Sequence, residues 1–165
     1  MATGNEQRRQ VISLKELVEK ALAKHELTVR NNDISIDMIL EKSMSSVDPE
    51  QMLAVFENLI SNAIKHSPNS GTINIWLKEA NTNQIRFTIK DQGKGVPSGQ
   101  EKAIFEPFFV GKQSSKMTLR GTGLGLAIAK QYIDAHNGDI EILRTSIGAT
   151  FQVTLPKSPS YRIGH

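Results

Sequence analysis

The segment that most constrains the fold of this 165-residue chain lies between Asp48 and Pro68. The stretch DPEQ, Asp48–Gln51, is a strong helix start: an N-cap aspartate, a proline at the first helical position and a glutamine placed to complete a capping box. A residue that precedes proline avoids the helical conformation, so the helix should end before Pro68. The sequence therefore predicts a long helix from Asp48 to about His66.

This helix carries a polar stripe on an otherwise apolar surface. Asn58, Asn62 and Lys65 stand at i, i+4 and i+7 and so share one side of the helix. Apolar residues cover the neighbouring faces: Met52, Phe56, Leu59, Ile60, Ala63 and Ile64. One interpretation is a solvated face, although glutamate, lysine or glutamine suits such a face better than two asparagines. The other is a ligand site, because an amide oxygen can ligate Mg²⁺ and Lys65 can meet a phosphate.

Periodicity predicts two further helices and five strands. Ser13 and Glu16 resemble a capping box, and helical spacing continues from there to about Lys24. Another helix is expected from Leu124 to His136, where Asn137-Gly138 would end it. Alternating apolar residues predict strands over 34–41, 73–77, 85–89, 140–142 and 151–155, the last two joined as a hairpin around TSIG.

Composition excludes several classes of function. The absence of cysteine removes disulfides, thiol catalysis and zinc–thiolate sites, and it fits a reducing compartment. The net charge of +3 comes without a long Lys/Arg run, so composition does not argue for nucleic acid as a partner. The sequence has no apolar run of transmembrane length, and the polar start MATGNEQRRQ does not resemble a signal peptide. The chain is expected to be soluble, although it could belong to a membrane protein.

Two glycine-rich stretches do not read as regular structure. They are DQGKGVPSG, 91–99, and VGKQSSKMTLRGTG, 110–123. Together they hold half of the 12 glycines: Gly93, Gly95, Gly99, Gly111, Gly121 and Gly123. Long glycine-rich loops in a compact domain are more often functional than accidental.

Three short motifs in or beside these loops each allow two interpretations. Asp91, at a strand end before two glycines, either accepts a hydrogen bond from a ligand amine or belongs to a hairpin turn. The stretch GTGLGLAIA, 121–129, is either a phosphate site at a helix N-terminus or a mobile linker. It fits neither the P-loop nor the dinucleotide fingerprint. FEPFF, 105–109, is either a core plug alone or a core plug that also anchors a mobile lid.

The order of these motifs resembles that of a known family. ENLISNAIKHSP looks like an N box, DQGKGVP a first glycine box, FEPFF an F box and GTGLGLAIAK a second glycine box. In this order they resemble the ATP-binding catalytic domain of sensor histidine kinases, within the wider family that includes gyrase, the heat-shock chaperone and mismatch-repair ATPases. The resemblance covers about residues 12–156.

The resemblance implies a fold and a reaction. The expected fold is an α/β two-layer sandwich, in which a mixed, mostly antiparallel sheet of about five strands is covered on one face by about three helices. Residues 1–11 would be a tail or linker and 157–165 a flexible tail. The domain would bind Mg²⁺ and ATP and transfer the γ-phosphoryl group to a histidine on a separate dimerisation domain that this chain lacks. A response regulator would act downstream.

The resemblance also implies a setting and residue roles. The isolated chain is expected to be monomeric and cytoplasmic, with a parent protein anchored in the inner membrane and no nucleic-acid partner. Asn62 would ligate Mg²⁺, Asn58 and Lys65 would be catalytic, and Asp91 would accept a hydrogen bond from the adenine amino group. Lys65 and His66 would lie near the phosphates. The implied nucleotide-binding residues are Asn58, Asn62, Lys65, His66, Asp91, Gly93, Gly95, Val96, Phe105, Lys112, Arg120, Gly121, Thr122, Gly123, Leu124, Gly125 and Leu126.

The loop 110–120 would form a lid over ATP, and its phosphate contacts would come from Lys112, Lys116 and Arg120. Gly121, Gly123 and Gly125 would cradle the phosphates.

One position separates branches of the family. Members that hydrolyse ATP carry a glutamate as general base four residues before the metal-binding asparagine, and this chain has Asn58 there. An amide cannot take a proton, and Glu57 lies about 100° away around the helix. The sequence therefore favours transfer to a protein over hydrolysis. His25, in HELTVR, superficially resembles an acceptor motif, but we expect it at the end of the first helix, directly before a strand. His136 is likewise expected at a helix end.

Overall fold

The computed structural model describes residues 8–107, 125–143 and 147–157. In chain order the elements are β1 (Gln10–Ser13), α1 (Leu14–Lys24), α2 (Glu26–Asn31), β2 (Ser35–Leu40), β3 (Met44–Val47), α3 (Pro49–His66), β4 (Thr72–Asn81), β5 (Gln84–Lys90), a 3-10 turn (Ala103–Phe105), α4 (Gly125–Ala135), β6 (Asp139–Leu143) and β7 (Thr150–Pro156).

The main sheet has five strands in the order β2-β4-β5-β7-β6. The β2–β4 pair is parallel, and the three other pairs are antiparallel. Helices α1, α3 and α4 pack on one side of it, with α3 in contact with both of the others. The predicted two-layer α/β sandwich with a mixed, mostly antiparallel sheet is therefore confirmed.

The core lies between the sheet and α3. Alternate residues of the central strands are fully buried, as the pleat requires: Ile73, Ile75 and Leu77 on β4, and Ile85, Phe87 and Ile89 on β5. Phe56 of α3 meets Phe87 with ring centroids 4.8 Å apart. Burial of each such side chain contributes about 1.5–3 kcal/mol, so this face decides how α3 sits on the sheet.

The predicted start of α3 is confirmed, with one correction. Asp48 is the N-cap and its Oδ1 accepts from the backbone N–H groups of Glu50 and Gln51 at 3.0 and 3.1 Å. Gln51 does not complete the capping box, since its Oε1 is buried without a hydrogen-bond partner. The N–H of Asp48 donates instead to His136 Nε2 at 3.0 Å. A long-range contact has therefore replaced the local one.

Local periodicity missed two features near the N-terminus. β1 pairs antiparallel with β3 in a separate two-stranded sheet, and it includes Gln10 and Val11, which we had assigned to the tail. Strands of four residues are too short for alternation to reveal them. The short helix α2 follows His25 directly, so the expectation that a strand comes next was wrong.

No helix in the described part of the chain is long and apolar enough to cross a membrane.

Candidate functional site

The amide stripe predicted on α3 is accessible. Asn58 and Asn62 are half-buried and Lys65 is exposed, while Leu59, Ala63 and Ile64 between them are buried. Among the described residues, no hydrogen bond or ion pair engages the side chain of Asn58, Asn62 or Lys65. Two amide oxygens and one ammonium group are therefore available to a ligand at this face.

The start of α4 lies against this stripe. A Cβ on Gly125 would stand 3.5 Å from Asn58 Oδ1, an ordinary van der Waals contact. Leu126, the next residue, packs against the core and anchors this first turn of the helix. The packing of α3 on α4 therefore brings Gly125, within the predicted second glycine box, to the amides of the predicted N box, although 67 positions separate Gly125 from Asn58 in sequence.

Asp91 follows β5 directly, as predicted, and it is only 1% exposed. Its Oδ1 accepts from the backbone N–H groups of Gly93 at 2.8 Å and Ala149 at 3.1 Å. Its own N–H donates to the carbonyl of Ala149 at 3.0 Å. No described residue bonds to Oδ2. The carboxylate is thus held rigidly by one oxygen and has a free acceptor on the other.

The glycines around Asp91 allow unusually close backbone packing. A Cβ on Gly93 would overlap the carbonyl oxygen of His66, and Gly95, at φ +78°, faces the carbonyl oxygen of Gly148. These contacts join the loop after β5 to the end of α3 and to the start of β7. Gly93 and Gly95 are therefore required by backbone geometry at this site.

Sequence reasoning missed two residues here, Gly148 and Ala149. Gly148 has φ +72°, and a Cβ on it would overlap the carbonyl oxygen of Asp91. Ala149 supplies the second N–H to the carboxylate. The only sequence signal was the glycine in the TSIG turn, which is equally expected of an ordinary hairpin.

His66 lies close enough to Asp91 for the two to interact electrostatically. Burial lowers the pKa of His66 below 6.5, the Asp91 carboxylate partly offsets this, and Lys65 adds to the lowering. His66 is therefore mainly neutral at pH 7. It lies beside the carboxylate, at the C-terminal end of the amide stripe.

Val96 and Phe105 are apolar residues of the segment that follows Asp91. Both are half-buried and pack against the core. The ring of Phe105 meets Phe151 edge to face, with centroids 6.1 Å apart. This contact joins the predicted F box, which begins at Phe105, to β7.

The remaining predicted site residues lie outside the described part of the chain. They are Lys112, Lys116, Arg120, Gly121, Thr122, Gly123 and Leu124, together with the whole predicted lid, 110–120.

Glu57, the acidic residue next to Asn58, points away from the site. Its carboxylate pairs with Lys24 of α1 at 3.4 Å and also interacts with His25. The one-residue offset along α3 therefore turns Glu57 towards the α1 side, as the helical geometry predicted.

The donor set suits a hard cation that is held mainly by other ligands. The described residues include no group of three or more His, Cys, Asp or Glu that could hold a metal. Asn58 and Asn62 offer neutral oxygens, and Mg²⁺ typically takes one or two protein ligands and completes its shell with phosphates and water. The residues present are thus compatible with Mg²⁺ bound together with a phosphorylated ligand.

The sequence and the fold of this chain both match known proteins. The sequence profile of the family described as "Histidine kinase-, DNA gyrase B-, and HSP90-like ATPase" matches residues 47–159. The sensor protein kinase WalK of Staphylococcus saprophyticus is 30% identical over 152 residues, which is 90% of this chain but 25% of that protein. WalK of Staphylococcus aureus matches equally well, and there the chain covers 36%. The chain therefore spans about a quarter to a third of the length of these curated relatives.

Two solved structures have the same fold. The nucleotide-free catalytic domain of histidine kinase ThkA is 28% identical, with a TM-score of 0.82 over 93% of this chain and 100% of that one. The mycobacterial sensor histidine kinase MprB is 25% identical, with a TM-score of 0.80 over 92% and 99%. This chain therefore belongs to the histidine kinase-, DNA gyrase B- and HSP90-like ATPase family and is an ATP-binding catalytic domain of the sensor histidine kinase type.

Proposed function

We propose that this domain binds ATP together with Mg²⁺ and transfers the γ-phosphoryl group to a histidine on a separate dimerisation domain. The domain spans only part of the length of its curated relatives. Membership of the family therefore does not by itself establish the complete reaction or its partners, and both belong to this proposal. The observation that carries the proposal is a buried, rigidly held Asp91 whose Oδ2 accepts no hydrogen bond from the described part of the chain.

Asp91 suits recognition of the adenine base. The carboxylate is buried, and its Oδ1 is already engaged by two backbone N–H groups, whereas its Oδ2 has no partner among the described residues. The exocyclic amino group of adenine is a donor of the right kind. A guanine base presents a carbonyl oxygen at the same place, which would leave two acceptors facing each other.

The stripe on α3 suits the phosphate end of the nucleotide. Asn62 would ligate Mg²⁺ through its amide oxygen, with Asn58 beside it. A bound Mg²⁺ would neutralise charge on the phosphates. Lys65 would add a positive charge at the same face, because its exposed ammonium group has no partner among the described residues. These groups act by positioning and charge stabilisation, which supply most of the catalysis in phosphoryl transfer.

Glu57 supports transfer to a protein over hydrolysis. A hydrolytic site needs a base that can activate water, and Asn58 cannot accept a proton. The nearest carboxylate on the helix, Glu57, is paired with Lys24 of α1. ATP held here would therefore persist until a histidine is brought to the γ-phosphate.

The partners follow from the same reaction. The acceptor would be a histidine on a dimerisation domain, and the phosphoryl group would pass from it to a response regulator. Histidine kinase ThkA, which is 25% identical to this chain, has been solved in complex with the response regulator protein TrrA, and this supports a response regulator as the partner. We infer further that the isolated domain is monomeric and that residues 110–120 contact the phosphates through Lys112, Lys116 and Arg120.

The decisive experiment combines binding and transfer. Calorimetric titration of ATP with Mg²⁺ should show binding by the wild type and strong weakening in Asp91→Asn, whereas Asp37→Asn, an exposed control on β2, should bind normally. Adding a histidine-bearing dimerisation domain from the same parent kinase should then yield acid-labile phosphohistidine. If ATP binds but phosphate is released steadily and no phosphohistidine forms, the domain is an ATPase and the proposal is wrong.

A further inference from the structure

A buried histidine joins the ends of the two helices that flank the nucleotide site. His136, which follows α4, is 2% exposed. Its Nε2 lies 3.0 Å from the backbone nitrogen of Asp48, the N-cap of α3. Its Nδ1 lies 2.8 Å from the carbonyl oxygen of Tyr132 on α4. One imidazole ring therefore connects the C-terminal end of α4 with the N-terminal end of α3.

These contacts determine the protonation state of the ring. A carbonyl oxygen can only accept, so Nδ1 must carry the proton that is donated to Tyr132. A backbone N–H can only donate, so Nε2 must be the unprotonated acceptor for Asp48. Both bonds hold only while His136 is neutral. Protonation at Nε2 would place two N–H groups against each other and break the link to α3.

The N-cap has a second acceptor for the same N–H. Gln51 stands three residues after the Asp48 cap, the position from which a glutamine side chain reaches back to the N-cap N–H in a capping box. Its Oε1 is buried and has no hydrogen-bond partner among the residues that the structure describes. The Asp48 N–H thus has one acceptor in use, on His136 directly after α4, and one unused acceptor nearby in sequence, on Gln51 of α3 itself.

The two residues before β1, Arg8 and Arg9, are attached to the same helix ends. The N–H of Arg8 donates to Asp48 Oδ2 at 3.0 Å, and Arg9 Nη2 donates to the carbonyl oxygen of Ala135, the last residue of α4, at 3.0 Å. At the other end of the helix pair, Gly125 faces Asn58, and a Cβ on Gly125 would stand 3.5 Å from Asn58 Oδ1. The chain before β1, both helices and the amide stripe therefore form one continuous set of contacts.

We propose that His136 is a proton-operated switch, in which protonation of Nε2 transfers the Asp48 N–H to Gln51 Oε1 and releases the end of α4 from α3. The switch consists of Asp48, Gln51, Tyr132 and His136. In its closed state α4 is fixed to the start of α3 and to Arg9; in its open state α3 keeps a complete capping box, but α4 loses its link to it. The proposal does not depend on which phosphoryl acceptor the domain uses.

The charges around the ring favour the closed state at neutral pH. Burial lowers the pKa of His136, and the hydrogen bond to Tyr132 raises it. Arg9 lowers it again and Asp48 raises it; the net pKa lies below 6.5. Among the described residues, the others that line the cleft beside the ring are uncharged: Ser45, Ser46, Val47, Asn137, Leu155 and Pro156. Mild acid, or an added negative charge near Arg9, would open the switch.

Nuclear magnetic resonance on the whole chain can test this directly, with a pH titration from 8 to 5. At pH 8 the imidazole nitrogens of His136 should report the Nδ1–H tautomer. As His136 titrates, the amide signal of Asp48 should shift with the same midpoint and stay protected from exchange. In Gln51→Leu, which lacks the second acceptor, the protection factor of that amide should fall at least tenfold in acid.

A second measurement tests whether protonation of His136 is coupled to the amide stripe on α3. In the wild type, the amide signals of Gly125 and Asn58 should carry a shift with the His136 midpoint, and His136→Gln should remove that component. His25→Gln is the matched control, since His25 also has a lowered pKa but lies at the α1–α2 junction, and it should leave the Asp48 transition unchanged.

Any one of four results would overturn the switch. These are an Nε2–H tautomer at pH 8, an Asp48 amide signal that does not move while His136 titrates, equal acid protection in Gln51→Leu and the wild type, and no His136-linked shift at Gly125. None of these measurements needs ATP, so the outcome is separate from that of the proposed function.

Discussion

Gly148 packs so tightly against Asp91 that a Cβ atom on Gly148 would overlap the Asp91 carbonyl oxygen and lie 3.0 Å from Oδ1. The hairpin between β6 and β7 therefore controls the position of a carboxylate that follows β5. The Ala149 N–H, one residue further on, holds Oδ1 directly. The proposed recognition of adenine by Asp91 thus depends on the backbone of Gly148 and Ala149 in this hairpin.

We predict that Gly148→Ala weakens ATP binding about tenfold or more. The methyl group must push Asp91 away from its two N–H donors, and an imperfectly paired buried group costs about 1–3 kcal/mol. Calorimetric titration with ATP measures the effect. Gly99→Ala is the matched control, since Gly99 also has positive φ, at +89°, but has nothing within 4 Å of a Cβ. Equal losses in both variants would mean that only backbone strain matters.

We predict that Glu57→Gln leaves the slow release of phosphate from ATP unchanged. Glu57 pairs with Lys24 on the α1 side of α3, and an exposed pair of this kind contributes only about 0.2–1 kcal/mol to stability. Phosphate release and urea unfolding should be measured on the same preparations. A tenfold drop in phosphate release without a change in stability would identify Glu57 as a catalytic base and refute our interpretation of the helix.

We predict that Asn62→Leu removes most of the effect of Mg²⁺ on ATP affinity. Loss of an oxygen ligand close to the ion should weaken binding by about 1.5–3 kcal/mol, or about tenfold to hundredfold. The comparison is ATP affinity with Mg²⁺ against affinity with a chelator present, in each variant. Ser61→Ala, at the exposed neighbouring position, is the control. If Asn62→Leu retained the full response to Mg²⁺, the ion would have to be held elsewhere.

We predict that the free energy of unfolding falls as the pH is lowered from 7.5 to 5. Burial lowers the pKa values of His25, His66 and His136, so the unfolded chain binds more protons than the folded one below pH 6.5. Their contribution is complete above 6.5 and is lost as the pH falls through the folded pKa values. Urea unfolding across this range measures it.

The contribution of Asp48 to the free energy of unfolding should change in a separate, more acidic pH range. Burial raises its pKa, but N–H bonds from Arg8, Gln51 and Glu50 outweigh burial and bring it below 3.8. Its contribution is therefore present above 3.8 and lost only as the pH falls below that. A loss of stability between 7.5 and 5 that persisted after all three histidines were replaced by glutamine would contradict this assignment.

Much of the fold followed from periodicity and capping. α3 begins at Pro49, directly after its N-cap Asp48, and ends before Pro68 as predicted, because proline and an N-cap aspartate act on their own local backbone. The five strands of the main sheet were each predicted from alternation, since the sheet buries one face. Four-residue strands and α2 were missed because they are too short for a period and depend on what they pack against.

Part of the candidate site could likewise be predicted from the sequence, and part could not. Asp91 at a strand end and the amides on one face of α3 follow from local spacing, and the order of the motifs indicated ATP. Gly148, Ala149 and the Glu57–Lys24 pair could not be predicted, because each is defined by a neighbour distant in sequence. The predicted lid, 110–120, lies outside the described residues, so its phosphate contacts stay predictions.

His136 shows most clearly which features the sequence determines and which the tertiary structure determines. The sequence by itself determined that a histidine would stand at the end of a helix and that Gln51 would stand three residues after an N-cap. Only the tertiary structure decided that the Asp48 N–H bonds to His136 and leaves Gln51 unpaired. The physical reason is that a backbone N–H makes one good hydrogen bond, and the packing of α4 on α3 determines which of two suitable acceptors lies in line with it.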